Sequence, residues 1–320
     1  MSNDPFEPQG VIPACLLPFK ADLEIDESAY RRHLGDLVSI DGIAAITVNG
    51  HAAEVHALSF EEQRHSIEIA RDEVGGRRPL VAGIHTRNTR EASRLAKMAT
   101  ETGAEALLVF PSDVLTLGGQ QRPECAHAHL AAIAESTELP LILFQYPITS
   151  GLGYPLNTLL RLCSQFPSIR AIKDGCNDPH LHERHIRELH ALNPPVKVLS
   201  THSMWLLGSL VLGCDGLLSG AGSVIANLQV ALFQAIQQND LQTARTLNDR
   251  IYPTIRAFYA DPLLDMHNRM KEALVLLSRL DAAYVRPPLK KLEQAEIKQI
   301  ADRLSEAEIT ASTVYKNPVL

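Results

Sequence analysis

Short apolar runs recur along the first two-thirds of the chain: Val11–Leu17, Ile43–Val48, Leu80–Ile84, Ala106–Phe110, Leu141–Phe144, Ile169–Ile172, Val196–Leu199 and Asp215–Leu218. They are rich in Val, Ile and Leu and do not alternate with polar residues. That is how strands buried on both faces read. Segments of helical period lie between them. Ser59–Val74 opens on a capping box, with Ser59 as N-cap and Glu62 three residues on, and stops at Gly75-Gly76. Thr89–Thr102 sets Ala92, Leu95, Ala96 and Ala99 on one face and stops at Gly103. Ala126–Ser136, Leu156–Gln165, Pro179–Leu192 and Ser203–Leu212 follow the same pattern.

Buried strands each followed by a helix describe a parallel sheet with crossover helices. Eight such units in about 225 residues match a closed (β/α)8 TIM barrel, an α/β fold. An open doubly wound sheet would want a Gly-rich turn after an early strand, and none of that form is present. After residue 225 the strand signals stop. Leu228–Gln238, Leu241–Tyr259, Met266–Leu280 and Gln294–Leu304 read as helix, with Pro253 and Pro262 interrupting the series and Pro287-Pro288 marking a turn. The expected organisation is an N-terminal tail (1–9), a barrel (10–225), a C-terminal helical extension (226–308) and a loosely held tail (309–320).

At about 150 residues per domain, 320 residues allow two domains or one extended barrel, and the strand count selects the barrel. Hydrophobic residues at 45% and charged residues at 21% exclude disordered and coiled-coil classes. A formal charge of −7 without a basic block argues against a nucleic-acid partner. No apolar run approaches the roughly 18 residues of a spanning helix, and the first residues lack a basic-then-apolar leader. No membrane partner is expected. Cys15, Cys125, Cys163, Cys176 and Cys214 are odd in number and widely spaced, which fits neither a disulfide framework nor a zinc knuckle. A reducing cytoplasm is the expected compartment.

In a TIM barrel the chemistry sits where strands end. Lys173 directly follows the sixth apolar run. In the barrel mouth it is a nucleophile whose burial lowers its pKa, able to form a Schiff base; at the rim it is an ion-pair partner of Asp174. Tyr146 ends the neighbouring run, as a proton shuttle or as a residue bridging core and solvent. Asn49-Gly50-His51-Ala52-Ala53-Glu54 is a small-residue turn. Its backbone either forms an anion nest for a carboxylate or is a tight loop shaped by Gly50, with Glu54 capping the next segment. Ser219-Gly220 at the last strand is an anion site or a close-packed loop. His180, His182 and His185, like His127 and His129, fall in outer helices and read as solvated faces. Only His51, His85 and His202 sit at mouth positions, where a three-histidine zinc site is conceivable but lacks a carboxylate partner.

Together these residues resemble the dihydrodipicolinate synthase / N-acetylneuraminate lyase family over about residues 10–305. Gly10–Lys20 with Ile25-Asp26 is similar to its first strand and loop, and Val48–Glu54 to its V-N-G-[ST]-T-G-E loop. Tyr146 matches the tyrosine ending its fifth strand, Ile172-Lys173-Asp174 its I-K-[DE] lysine, and Val285–Leu289 a turn of its C-terminal helices. The resemblance implies a Schiff base on Lys173, proton transfer through Tyr146 and a 2-oxo-acid carboxylate held by Gly50, His51 and Ala52. It implies no cofactor and no metal, and a homotetramer built as a dimer of dimers.

This chain departs from the pattern in particular places. His51 and Ala52 stand where the family has hydroxyl residues, and Ala53 where it has glycine. Pro111-Ser112-Asp113 stands where the synthase has a tyrosine, and residues 148–153 contain no arginine. The expected function is therefore a Schiff-base lyase acting on pyruvate or a larger 2-oxo acid. It would perform aldol cleavage or addition, or dehydration of a 2-keto-3-deoxy sugar acid. Asp113, His202 and His51 are candidates for the distal part of the substrate, with Ser219 and Gly220 as further contacts. The alternatives are a non-catalytic 2-oxo-acid-binding paralogue, a condensation like that of 4-hydroxy-tetrahydrodipicolinate synthase, and a metal-dependent hydrolase using His51, His85 and His202.

Overall fold

The computed structural model describes residues 6–316 and 318; the remaining residues of the expected tails (1–9 and 309–320) lie outside that range. Eight parallel strands are present: β1 (Gly10–Pro13), β2 (Ile46–Val48), β3 (Leu80–Ile84), β4 (Ala106–Val109), β5 (Leu141–Gln145), β6 (Ile169–Asp174), β7 (Lys197–Ser200) and β8 (Gly216–Ser219). Each pairs with its neighbour in sequence from β2 to β8, and β8 pairs with β1. Parallel bridges Val11–Ile43 and Ala14–Thr47 join β1 to the β2 side, closing the barrel. The strands are buried almost throughout, which is why their sequences are continuous apolar runs.

The ladders are shorter than those runs. β1 ends at Pro13, yet Ala14 and Cys15 still donate to Ser219 O and Thr47 O at 3.0 and 2.8 Å. Leu16 N reaches Ser223 Oγ at 3.1 Å, so this segment is buried and satisfied without being strand.

The outer layer is α1 (Glu27–Val38), α2 (Phe60–Val74), α3 (Thr89–Glu101), α4 (Pro123–Ala134), α5 (Leu156–Gln165), α6 (Pro179–His190), α7 (Leu206–Val211) and α8 (Gly222–Gln237). Ser59 and Glu62 form the capping box read from the sequence, and Gly75 ends α2 at φ 59°. α8 starts six residues before the helix read from the sequence. Its first turn begins at Gly222, directly after Ser219-Gly220-Ala221, and is kinked at Ile225, so the eighth barrel helix crosses residue 225.

The extension is α9 (Leu241–Phe258), α10 (Met266–Leu276) and α11 (Gln294–Glu306). Pro253 lies inside α9 without ending it. α10 stops short of Leu280, where Ser278 takes a left-handed φ of 57°. Residues 309–316 are held, where the sequence alone predicts a loosely held tail. Ile309 and Val314 are buried, Tyr315 Oη donates to Ser223 O at 2.8 Å, and Asn227 Nδ2 donates to Lys316 O. Among the described residues no helix is long and apolar enough to cross a membrane.

Candidate active site

Lys173 and Phe144 are register partners on β6 and β5, so their side chains stand next to each other. Lys173 Nζ lies 4.2 Å from the Phe144 ring centroid and the residue is 6% exposed. Burial brings its pKa down from 10.5 to about 7. Asp174, the next residue, faces the opposite side of the strand and is turned to the helix layer.

Tyr146 follows β5. Its Oη lies 3.1 Å from His51 Nε2, from the loop after β2. Burial pushes the phenol well above its usual range, with the Asp113 carboxylate adding to the effect. Burial, with Lys173 nearby, holds His51 well below the usual imidazole range, so the ring is neutral. The chain has few aromatic residues, and several converge here. The His51 ring centroid is 4.8 Å from that of Phe110, Phe110 is 5.3 Å from Phe144, and Phe144 is 4.2 Å from Tyr146. His85, after β3, adds a ring 5.2 Å from Phe110 and 5.7 Å from His51.

The loop after β2 is shaped by Asn49 and Glu54, which take left-handed φ of 52° and 53°; Gly50 is extended at −89°. Asn49 Nδ2 donates to Gln63 O at 2.8 Å, which ties the loop to α2. Glu54 is not a cap. It is buried, pairs with Lys271 Nζ of α10 at 2.5 Å, and accepts Arg286 N at 2.9 Å. Arg286 in turn forks onto Glu62. The extension thus clamps the loop that presents His51 and Ala52.

Asp113 is at the rim, paired with Arg87 at 3.1 Å. It borders a groove of about 370 Å³ that His56, His85 and Glu91 also line. Ser219 Oγ is 3.3 Å from both Ser203 Oγ and Gln229 Nε2. Gly220 is covered by His267, whose Nε2 would stand 3.0 Å from a Cβ added there. Sequence reasoning missed His267. It comes from α10, and burial and the proximity of Lys173 lower its pKa to about 3. No strand-end signal marks it, because it lies well beyond the last strand.

His202 belongs to a different group. Its ring stacks on Trp205 at 4.3 Å and meets His182 edge-on at 4.7 Å. His51, His85 and His202 therefore do not gather around one point. The reading of the helix histidines as solvated is also corrected. His182 and His185 are fully buried, each donating Nδ1–H to Asp174 Oδ2, at 2.8 and 2.7 Å; His129 is buried against Thr89, and of the four histidines on α6 only His180 is exposed, His190 being half-buried. Burial favours neutral Asp174, but these hydrogen bonds outweigh it and hold the carboxyl below its ordinary range. The donor atoms that come together in a metal-like cluster among the described residues are those of Asp174, Cys176 and His202.

The dihydrodipicolinate synthetase family model matches residues 7–307. A 4-hydroxy-tetrahydrodipicolinate synthase of Methanopyrus kandleri is 30% identical over 290 residues, 90% of this chain and 93% of the relative. One from Salinibacter ruber is 31% identical over 256 residues, 79% of this chain and 81% of the relative. A prophage protein of the dihydrodipicolinic acid synthase family from E. coli K12, solved in complex with pyruvate, shares the fold. Its TM-score is 0.87 at 24% identity, over 94% of this chain and 99% of that one.

Proposed function

Because the chain belongs to the dihydrodipicolinate synthetase family, we propose that it is a lyase that forms a Schiff base between Lys173 and pyruvate or a larger 2-oxo acid. The observation that carries this is a buried lysine at the end of β6, in the barrel mouth beside a tyrosine–histidine hydrogen bond. With burial bringing its pKa down to about 7, a substantial fraction of Lys173 is free amine at neutral pH, the form that attacks the C2 carbonyl. The carbinolamine hydroxyl leaves as water, with its proton supplied through Tyr146. Neutral His51 accepts the phenolic hydrogen at Nε2 and orients the hydroxyl. The N–H groups of Gly50, His51 and Ala52 would hold the C1 carboxylate.

The iminium accepts electrons from C3. In aldol cleavage the C4 hydroxyl loses its proton, the C3–C4 bond breaks and an aldehyde leaves. In dehydration C3 gives up a proton and C4 its hydroxyl, which leaves protonated as one water. His51 in place of a hydroxyl residue, and the absence of arginine from residues 148–153, favour these over the synthase-type condensation. Family membership, with Val114 and Leu117 exposed beside the mouth, supports a homotetramer, and the wide spacing of the five cysteines supports a reducing, cytoplasmic setting. A monomeric mass in light scattering would count against that assembly.

The test is to incubate the chain with pyruvate, reduce with borohydride and weigh it. One reduced adduct per native chain and none in Lys173→Ala is the expected result. No adduct with pyruvate or with a panel of 2-oxo acids overturns the reading. Pyruvate release from a 2-keto-3-deoxy sugar acid then separates cleavage from dehydration.

A further inference from the structure

Behind Lys173, on the helix side of β6, three donor atoms face one another. His202 Nε2 is 3.9 Å from Asp174 Oδ1 and 3.9 Å from Cys176 Sγ, and all three ligand atoms fall within 4.8 Å of one another. The residues are 0%, 4% and 5% exposed for Asp174, Cys176 and His202. We propose that Asp174, Cys176 and His202 form a binding site for one divalent cation of the zinc class.

Asp174 Oδ1 accepts Cys176 N–H at 2.9 Å and the Cys176 thiol donates to Asp178 O at 3.4 Å, but His202 Nε2 stands too far from Asp174 Oδ1 for a direct bond and leaves room for an ion between them. A separation of 3.9 Å exceeds a nitrogen–oxygen hydrogen bond by nearly 1 Å. Around a tetrahedral zinc, bond lengths of about 2.0–2.3 Å put neighbouring N, O and S ligands about 3.3–3.6 Å apart. Contraction by several tenths of an ångström brings His202 to that spacing from both neighbours, and the Asp174–Cys176 pair, within 4.8 Å, closes by up to about 1 Å. A catalytic triad does not fit, because a single imidazole nitrogen, Nε2, faces both the thiol and the carboxylate.

The ligands are already held in place by their surroundings. Asp174 uses Oδ2 for the two imidazole N–H groups of His182 and His185, so its Oδ1 is aimed by an outer layer of hydrogen bonds. That is how ligating carboxylates are commonly supported. His202 is fixed by its stack on Trp205. On binding, the Cys176 thiol gives its proton to solvent, and the thiolate and carboxylate together neutralise the ion's charge. Sulfur and imidazole donors select zinc-class cations over magnesium or calcium. With three protein ligands, the fourth position is open to water. An ion here would tie the loop after β6 to the end of β7.

The test uses the full-length chain, stripped with a chelator, dialysed, and titrated with Zn²⁺ and separately with Co²⁺. None of its readouts depends on lyase activity. We expect one zinc retained per chain through gel filtration and a thiolate-to-cobalt charge-transfer band. Cys176→Ser should abolish the band, and His202→Asn should weaken zinc binding about tenfold or more. The control Cys125→Ser, which removes the exposed thiol, should leave both intact. Should Cys176→Ser fail to fold, zinc protection of Cys176 from alkylation, mapped on the native chain, decides. No retained zinc and no band in the native chain would overturn the site. So would a band that survives in Cys176→Ser, or Cys176 alkylated equally fast with and without zinc.

Discussion

Tyr146 Oη and His51 Nε2 are 3.1 Å apart, joining the end of β5 to the loop after β2 across the barrel mouth. With His51 neutral and the phenol protonated, the hydroxyl can pass a proton without either ring carrying charge in the resting site. Tyr146→Phe removes the hydroxyl and keeps the ring against Phe144. Under the proposed mechanism its kcat should fall about 10²- to 10⁴-fold, with thermal stability close to native. His51→Gln should cost less, because an amide can still accept the hydroxyl hydrogen. Steady-state kinetics with a turned-over 2-oxo acid checks the order; equal activity of Tyr146→Phe and the native chain contradicts the relay.

Glu54 and Lys271 join the same loop to α10 as a buried ion pair. Removing one partner leaves the other charged in an apolar setting, between Phe19 and the chain at Tyr284 and Arg286. Lys271→Met or Glu54→Gln alone should cost about 3–5 kcal/mol. The double variant should lose much less than the two losses added, since no charge is then stranded. Urea melts of the four proteins measure the coupling, and additive losses would show that the pair is not a unit.

The residues at strand ends were legible because a (β/α)8 pattern restricts chemistry to a few positions, and Lys173 and Tyr146 occupy two of them. The partner of Tyr146 was not, since nothing in the order of residues says that a loop after β2 reaches the end of β5. His267 arrives from the extension, whose packing against the barrel leaves no periodic trace at the mouth. The buried His182 and His185 did leave one. They share a helical face with Ile186 and Leu189, so their spacing places them inward, while their polarity argued the other way. Asp174 settles that conflict by supplying a buried acceptor for both rings.

His33, on the inner face of α1, is 2% exposed and neither ring nitrogen has a hydrogen-bond partner. Burial lowers its pKa from 6.5 to about 4. The folded state binds this proton later than the unfolded state as pH falls. The stability associated with neutral His33 is therefore complete above pH 6.5 and is lost progressively toward pH 4. At about 1.4 kcal/mol per pH unit the loss is about 3 kcal/mol. His202 and His267 add to the decline in the same direction. His33→Leu should reduce the slope of unfolding free energy against pH between 6.5 and 4; an unchanged slope would exclude His33 as a contributor.

Gly83, on β3, lies directly against the backbone of the loop that carries His51. A Cβ there would stand 2.0 Å from Asn49 O and 2.7 Å from Asn49 C, both backbone atoms that cannot swing aside as a side chain would. Gly50, by contrast, meets nothing within 4 Å. Gly83→Ala must therefore push the chain at Asn49 away from β3, displacing His51 and weakening the bond from Asn49 Nδ2 to Gln63 O. Overpacking of this kind costs about 1–3 kcal/mol, and a shift of 1 Å at a positioned group can cost about 10²-fold in rate. Gly50→Ala should be milder in stability, since its side chain enters open space. Melting temperatures of the two variants, with their rates of imine trapping, test the ranking. A Gly83→Ala protein as stable and as reactive as Gly50→Ala would mean that the loop can move without consequence.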